Sequence, residues 1–389
     1  MPRFPDFSRR VAHMPGSVFE KFRPKMQAQG ENLVRLHIGD SYLKPVYPLP
    51  FTESFFQGHE AIHRYPNTFG IAQLREALAE KLRADNRLPV EPEQILVTCG
   101  GTNALSAAAL ALLDPGEEIL VLTPCWPLFF GMVTSAGARS VEVPFYLDLY
   151  TNPDLDIEAL LSGYLTPSTA AIYVNTPNNP SGKMLTRHHL EQIARFARKH
   201  RLWIISDEAY DGLTYDNREH LSIASLPEAT EQCVTVFTFS KIFVFAGLRL
   251  GYAVAQQRVI QAINKIMVHQ VYSAATPAQL MMLEPVRRRH EWIPKIRDHF
   301  QNLRDLFVEQ LKLSFPVPEG TYFLFVPLTR YLAKQDYWSW VEACLDAGVS
   351  IASGQDFGQH FADYIRLCFT GEPPDRLQIA IERLNRIFQ

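Results

Sequence analysis

Cysteine is scarce in this sequence and follows no pattern. The 389 residues include five cysteines, at positions 99, 125, 233, 344 and 368, and none stands in a C-x-x-C spacing. Such an odd, scattered set predicts neither a disulfide framework nor a zinc site, and we expect no metal. The motifs H-E-x-x-H, G-x-S-x-G and G-x-x-x-x-G-K-[ST] are also absent, which excludes the common metalloprotease, hydrolase and P-loop motifs.

Long apolar runs and an excess of positive charge are missing as well. No run approaches the length of a membrane span, and residues 1–19 contain no apolar signal core, so we expect a cytoplasmic protein without a membrane partner. The 38 Lys and Arg residues are balanced by 41 Asp and Glu residues, a formal net charge of −3, which argues against nucleic acid as a partner. The basic run at 287–290 is interpreted as a solvated helix face.

The sequence is rich in apolar segments that recur in a regular order. With 47% hydrophobic residues, the chain is long enough for one large domain and a smaller one. Short apolar strands alternate with helical patterns, for example at 170–174 and 186–200, which predicts a mostly parallel sheet. Polar and glycine residues follow directly where the strands end, and open α/β sheets bind ligands at that edge.

The turn after one predicted strand carries a lysine among apolar neighbours. The strand 234–237 is followed by Thr238, Lys241 and Arg249 in the run T-F-S-K-I-F-V-F-A-G-L-R-L-G. A lone lysine in a loop is ordinarily a surface residue whose ammonium reaches water. Here desolvation, together with a nearby Arg249, should lower the pKa of Lys241 and make the amine a nucleophile that condenses with an aldehyde. The hydroxyls before it and the arginine after it suit a phosphate.

This segment resembles the lysine segment of the class I/II aminotransferases, fold-type I enzymes that use pyridoxal 5′-phosphate (PLP). The resemblance implies that Lys241 binds PLP as a Schiff base and that Thr238 and Arg249 hold its phosphate. Similar motifs continue in family order from about residue 34 to residue 369, so the resemblance covers almost the whole chain.

Three further turns resemble parts of the family that hold PLP. Gly101 and Thr102 precede a helix predicted at 104–113, and a helix amino terminus with free N–H groups suits a phosphate. In T-P-C-W-P, the resemblance implies that the Trp126 ring stacks on the pyridine ring of PLP. In N-T-P-N-N-P-S-G, it implies that Asn179 donates a hydrogen bond to the phenolic oxygen of PLP.

An aspartate closes the next predicted strand, in S-D-E-A-Y. A carboxylate at the end of a buried strand is costly unless it meets a cation, and Asp207 as the cap of a following helix is the structural alternative. The resemblance implies that the cation is the PLP ring nitrogen, which Asp207 keeps protonated. It also implies that Tyr210 is a second ligand of the phenolic oxygen.

Three residues are implied for substrate and subunit contacts. In the family, the position of Gly39 lies near the substrate carboxylate, and the position of Arg366, in D-Y-I-R-L-C-F, binds that carboxylate bidentately. Tyr65, in Y-P-N-T-F-G before a helix predicted at 71–85, matches a tyrosine that reaches the PLP phosphate of the other subunit. Tyr65 therefore implies a homodimer with shared active sites. An ordinary turn glycine, a surface arginine and a loop tyrosine are the alternatives.

We therefore predict an α/β enzyme with a large PLP-binding domain at 46–284 and a small α+β domain built from 1–45 and 285–389. A long helical stretch is predicted around 281–313. The predicted reaction transfers an amino group between an amino acid and a 2-oxo acid. A β- or γ-lyase on the same fold and a PLP-binding regulatory domain are the alternatives. Apolar residues at 14–19 and 42–43 favour neutral or aromatic donors, and segments 42–47 and 268–275 are further candidates for setting specificity.

Overall fold

The fold is organised around one large sheet. The structure is a computed structural model that describes residues 6–12, 14, 16, 22–45, 47, 52–59 and 61–389. Its strands are β1 (Val34–Arg35), β2 (Ile95–Thr98), β3 (Glu118–Thr123), β4 (Arg139–Pro144), β5 (Thr169–Asn175), β6 (Trp203–Asp207), β7 (Cys233–Thr238), β8 (Gly251–Val254), β9 (Phe323–Pro327), β10 (Val349–Ser350), β11 (Ala352–Ser353) and β12 (Tyr364–Cys368).

Helices connect most of these strands. They are α1 (Arg9–Ala12), α2 (Arg23–Gln29), α3 (Glu53–Gln57), α4 (Ala72–Asp85), α5 (Gly100–Leu112), α6 (Leu128–Ala136), α7 (Ile157–Ser162), α8 (Arg187–His200), α9 (Gln257–Val271), α10 (Thr276–Met281), α11 (Leu283–Arg287), α12 (Ile293–Gln310), α13 (Tyr337–Asp346) and α14 (Pro374–Ile387). Within the described residues, none of them is both long and apolar enough to cross a membrane.

The large sheet has seven strands in the order β2-β8-β7-β6-β5-β3-β4. Strands β4, β3, β5, β6 and β7 pair in parallel, whereas β8 is antiparallel to both of its neighbours, β7 and β2. The loop 239–250 joins β7 to β8 without a crossover α-helix, and β8 therefore runs antiparallel to β7. The prediction of a mostly parallel sheet is confirmed.

Both faces of this sheet are buried, as a parallel sheet requires. On β5, Ala171 and Tyr173 pack with α5, α6 and α9 on one face, while Ile172 and Val174 pack with α7 and α8 on the other. Because successive side chains on a strand alternate between faces, β5 is apolar or aromatic from residue 170 to residue 174. Its polar residues, Thr169 and Asn175, lie at its two ends.

Two smaller sheets belong to the carboxyl-terminal part of the chain. Strands β11, β12 and β9 form an antiparallel sheet, and β10 pairs in parallel with β1 from the amino-terminal part. The pair Val34–Val349 thus links two segments that are more than 300 residues apart in the sequence. Arg366 lies in the middle of β12, opposite Phe325 of β9.

Two predictions in the region after α10 are correct only in part. The helical stretch expected around 281–313 is divided into α11, a 3-10 turn at Arg289–Glu291 and α12, with Pro285 and Pro294 in the first turns of the two helices. The basic run at 287–290 is not wholly solvated, because Arg289 is 2% exposed and donates from Nη2 to Asp85 at 3.0 Å. The Asp85 carboxylate on α4 pairs with this buried arginine and balances its charge.

Candidate active site

A cavity of about 240 Å³ lies at the carboxyl ends of the parallel strands, between the large sheet and strands β9 and β12. It is lined by residues from eight separate parts of the sequence. These are Gly39, Gly101, Thr102, Leu105, Trp126, Asn179, Asp207, Ala209, Tyr210, Thr238, Ser240, Lys241, Ala246, Arg249, Phe323 and Arg366. Every site residue predicted from the sequence except Tyr65 is therefore brought to this one cavity.

Lys241 follows β7 and is half-buried in the cavity wall. Its Nζ donates to the carbonyl oxygen of Gly39 at 2.6 Å, and its own carbonyl oxygen accepts from the Tyr322 hydroxyl at 2.8 Å. Burial lowers the pKa of Lys241 from 10.5 to about 8. The cation that adds to this lowering is Arg366 and not Arg249 as the sequence suggested. At neutral pH a usable fraction of this amine is uncharged.

Asp207 ends β6 on the floor of the cavity. Its Oδ2 accepts from the Tyr173 hydroxyl at 2.8 Å, and its Oδ1 accepts from the backbone N–H of Ala209 at 3.1 Å. Residues 209–212 form turns, so no helix follows that Asp207 could cap. Burial raises the pKa of Asp207 from 3.8 to about 6, against the two hydrogen bonds that favour the carboxylate. No cation is paired with Asp207 among the described residues.

The turn after β5 is held together by amide side chains. Asn175 accepts from the backbone N–H of Asn179 at 2.7 Å and donates to the carbonyl oxygen of Asp207 at 2.8 Å. The Oδ1 of Asn179 accepts from Nη1 of Arg366 at 3.0 Å. Because arginine can only donate, this bond orients the amide so that the Nδ2 donors of Asn179 are turned away from Arg366.

Arg366 is fixed from several directions. Its guanidinium lies over the Phe323 ring at 4.2 Å and the Phe357 ring at 4.8 Å, and Nη2 donates to the carbonyl oxygen of His37 at 2.7 Å. Its Nε is buried and has no partner within the described residues. A buried donor of this kind is costly unless a ligand satisfies it.

The amino terminus of α5 faces the same cavity. The helix begins at Gly100, four residues earlier than predicted, so that Gly101 and Thr102 lie in its first turn, where backbone N–H groups have no partner inside the helix. A Cβ added at Gly100 would lie 2.9 Å from Nη2 of Arg249, which places that guanidinium against the helix end. Thr238 donates to Ser240 at 3.0 Å beside them.

Trp126 and Tyr210 supply aromatic surface to the cavity. Trp126 is half-buried after β3, and Tyr210 is 3% exposed with its ring edge-on to Tyr322 and Phe323.

Gly39 lies against the Phe323 ring in the cavity lining. A Cβ added at Gly39 would lie 2.7 Å from that ring, so a larger residue would require the ring to move.

Tyr65 lies outside the cavity. It is 83% exposed and packs against Tyr272 with ring centroids 4.8 Å apart, beside a surface cleft lined by residues 62–66 and 271–276. Within one chain the structure does not bring Tyr65 to the other site residues, and its contact with a second subunit stays a prediction.

A larger cavity of about 1130 Å³ adjoins the first and shares Trp126 and Arg366 with it. Its walls include Leu128, Phe130 and Phe357, whereas no described residue of segments 42–47 and 268–275 lines either cavity. In segment 14–19, residues 15 and 17–19 lie outside the described part of the chain.

Sequence reasoning missed the residues that support the site from behind. Tyr173, Asn175 and Phe357 each hold a predicted site residue in place. Asn175 could have been found as the first residue of the asparagine-rich motif. Tyr173 and Phe357 gave no signal because an aromatic residue in an apolar segment predicts only core packing.

Comparison with known proteins assigns the chain to a family. The model of the family "Aminotransferase class I and II" matches residues 52–384. The chain belongs to this family. The aminotransferase is 33% identical to the aspartate/prephenate aminotransferase of Thermus thermophilus over 98% of each chain, and 30% identical to aromatic-amino-acid aminotransferase 2 of Thermococcus litoralis over 93% of each.

Solved structures agree. The aminotransferase matches the aspartate aminotransferase of Thermus thermophilus with maleate at a TM-score of 0.88 and 32% identity, covering 98% of this chain and 99% of that one. It matches the aromatic aminotransferase of Pyrococcus horikoshii at a TM-score of 0.82 and 29% identity, covering 94% and 98%. The predicted fold is confirmed, and the enzyme is a PLP-dependent aminotransferase that acts on amino acids and 2-oxo acids.

The residues of the cavity fit PLP. The cofactor needs an amine for its aldehyde, an anion for its ring nitrogen and donors for its phosphate. The cavity offers Lys241 with a pKa near 8, the buried carboxylate of Asp207 and the α5 amino terminus beside Arg249. The unpartnered Nε of Arg366 remains as a donor for the carboxylate of a substrate.

Proposed function

We propose that Lys241 carries PLP and moves a proton at the substrate Cα during amino transfer. The observation that carries this proposal is its position, because no other lysine among the described residues lines the cavity. Bound PLP supplies an electron sink for the negative charge that develops at Cα. An amine with a pKa near 8 can accept and return a proton at neutral pH, which suits a general acid–base group.

We propose further that four residues hold the ring of PLP. The carboxylate of Asp207 pairs with the protonated ring nitrogen, because either charge buried without the other would destabilise the protein. Asn179 and Tyr210 donate to the phenolic oxygen, and the orientation of the Asn179 amide set by Arg366 supports this role. Trp126 stacks on one face of the ring.

The phosphate is proposed to lie at the amino terminus of α5. Gly101 and Thr102 provide backbone N–H groups there, and the helix dipole favours an anion. Arg249 adds a charge-assisted donor and Thr238 a hydroxyl. The absence of a side chain at Gly100 supports this arrangement, since a Cβ there would displace the Arg249 guanidinium.

The substrate carboxylate is proposed to bind Arg366 beside Gly39. The two phenylalanine rings and the bonds to Asn179 and His37 hold the guanidinium before the substrate arrives, which reduces the entropy lost on binding. Its Nε is the buried donor that a carboxylate would satisfy.

We propose neutral or aromatic amino acids as donors. The adjoining cavity has apolar walls at Leu128, Phe130 and Phe357. Apart from Arg366, its two arginines already have partners, since Arg139 bonds Glu118 and Arg10 donates to the carbonyl oxygen of Ser135 at 3.1 Å. A panel of donors compared by kcat/KM tests the proposal, and a preference for aspartate over phenylalanine would contradict it.

The central role of Lys241 is tested by borohydride reduction of the purified enzyme. The mass of PLP should be fixed on the peptide that contains Lys241, and a Lys241→Ala variant should lose both the label and activity. Lys265→Ala, a position on α9 that lines neither cavity, is the control and should keep both. Normal turnover by the Lys241→Ala variant would refute the proposal.

Several wider features of the enzyme are also proposed. The chain forms a homodimer in which Tyr65 reaches the site of the partner, and its division into domains at 46–284 and at 1–45 with 285–389 is supported by the pairing of β1 with β10. A cytoplasmic location is supported by five free thiols, which suit a reducing compartment. The net charge of −3 supports the absence of a nucleic acid partner. No membrane partner is proposed.

A further inference from the structure

Tyr173 is an unusual residue for its place in the fold. It lies in the middle of β5, paired with Val121 of β3 and Ile205 of β6, and its side chain is fully buried. Its ring stacks on Phe129 with centroids 3.7 Å apart, so packing alone would be served by phenylalanine. A buried phenolic hydroxyl requires a partner, and this one donates to Oδ2 of Asp207 at 2.8 Å.

The hydroxyl of Tyr173 does not line the catalytic cavity but lies behind the carboxylate that does. Among the described residues, the Asp207 carboxylate has two donors, the Tyr173 hydroxyl and the backbone N–H of Ala209. Any residue other than proline at position 209 would keep the second donor. Donors to a carboxylate stabilise its ionised form and fix the plane of its oxygens. The geometry therefore gives Tyr173 control over both the charge and the orientation of Asp207.

We propose that Tyr173 is a positioning residue that keeps Asp207 ionised and aligned for the ring nitrogen of PLP. This inference rests on the proposed pairing of Asp207 with that nitrogen. Tyr173 touches neither cofactor nor substrate, and it acts only through Asp207. Burial works against the ionised carboxylate, and the hydroxyl of Tyr173 offsets part of that effect.

The test is the affinity of the apoenzyme for PLP, measured by quenching of tryptophan fluorescence, in a Tyr173→Phe variant. Phenylalanine keeps the ring on Phe129 and removes only the hydroxyl. Loss of a hydrogen bond to a charged group should weaken PLP binding about tenfold. Tyr215→Phe is the matched control, because Tyr215 is another fully buried tyrosine whose hydroxyl donates to a backbone carbonyl, and it should leave the affinity unchanged.

The pH dependence of binding separates positioning from packing. A protonated Asp207 offers no charge to a protonated ring nitrogen, so affinity should fall as the pH drops through the pKa of Asp207. Without the hydroxyl that pKa rises, and the fall should begin about one pH unit higher in Tyr173→Phe. The other groups that face Asp207 are unchanged in the variant. They are Glu208 on the turn after β6, Tyr210 in the same turn, Lys241 after β7, Cys125 after β3 and Tyr146 after β4.

A double-mutant cycle with Asp207→Asn completes the test. If Tyr173 acts through the charge of Asp207, the Tyr173→Phe change should cost little affinity in the Asp207→Asn background. An unchanged affinity and pH profile in Tyr173→Phe, with Asp207→Asn impaired, would overturn this inference alone. Unchanged binding in Asp207→Asn would overturn the proposed role of Asp207 and this inference together. Equal losses from Tyr173→Phe in the parent and in the Asp207→Asn background would indicate a packing role and overturn the inference.

Discussion

At the scale of single residues, the site contains buried charge that destabilises the folded protein until a ligand binds. Asp207 is 5% exposed and has two hydrogen-bond donors but no cation among the described residues. Its pKa is raised by burial to about 6, above the 3.8 expected when the chain is unfolded. The folded apoenzyme therefore binds a proton more tightly than the unfolded chain between these two pH values.

The apoenzyme should thus be stabilised by Asp207→Asn. The contribution of Asp207 to folding is lost as the pH rises from about 4 through about 6, because the unfolded chain ionises freely in this range whereas the folded state keeps its proton until about pH 6. Above pH 6, the difference between the folded and unfolded pKa values of Asp207 lowers the free energy of unfolding by on the order of 3 kcal/mol. Urea unfolding of apo forms should show a stability gain for Asp207→Asn that is near zero at pH 4 and approaches this value at pH 7.5.

Asp211→Asn provides the contrasting control for this experiment. Asp211 is also buried, but Lys81 is bonded to it and holds the pKa of Asp211 below its usual value despite burial. Its substitution should destabilise the apoenzyme at neutral pH. A constant difference between Asp207→Asn and the parent at every pH would show that Asp207 is not strained by burial.

At the scale of elements, one short segment connects the large sheet to the substrate arginine. The 3-10 turn Gly354–Phe357 presents Phe357 to Arg366, and the backbone N–H of Cys125 after β3 donates to the carbonyl oxygen of Phe357 at 2.9 Å. Two residues on, the N–H of Gln359 donates to Oε2 of Glu142 on β4 at 2.9 Å. The position of Phe357 thus depends on both strands.

Glu142→Ala should loosen this segment and weaken substrate binding. We expect KM for the amino donor to rise about five- to tenfold with a smaller change in kcat, in line with about 1 kcal/mol for one hydrogen bond. Glu142→Gln keeps an oxygen acceptor and should retain most of the affinity. Glu117→Ala, which removes an acceptor of the Asp114 N–H on an exposed turn, is the control. A fall in kcat alone would contradict this role for Glu142.

The sequence predicted elements well where local pattern determines them. Strands β5 and β7 and helix α4 were predicted within one residue of their ends, because apolar strands bounded by polar turns are local signals. The sequence did not predict the break within the helical stretch 281–313. It also did not predict the burial of Arg289, because that burial depends on Asp85 of α4, which is distant in the sequence. Eleven of the sixteen cavity-lining residues were predicted from motifs. Tyr173 and Phe357 act through contacts between distant elements that no local pattern contains.

At the scale of the whole molecule, we expect the exposed pair Tyr65 and Tyr272 to contact the second subunit of the proposed dimer. Large aromatic side chains exposed side by side are typical of interaction surfaces. Mixing inactive Lys241→Ala chains with inactive Tyr65→Ala chains should produce hybrid dimers with one intact site. With random pairing, about a quarter of the parent activity should return.

The control for this mixing experiment uses two residues of the same site. Lys241→Ala mixed with Asp207→Asn should restore nothing, because Lys241 and Asp207 line one cavity of one chain and every hybrid site lacks one of them. Recovery in that control, or full activity of a monomeric form in gel filtration, would rule out a Tyr65-sharing dimer.

The backward course of β8 has a further consequence. Thr238 and Gly251 lie opposite each other in the β7–β8 pair, and the loop they close contains both Lys241 and Arg249. Gly251 also abuts Gly101, since a Cβ there would lie 2.6 Å from the Gly101 nitrogen. The length of this loop therefore sets the distance between the Lys241 amine and the Arg249 guanidinium. One residue inserted or deleted would change that length and shift the β7–β8 register, so evolution can vary the loop by substitution far more easily than by length.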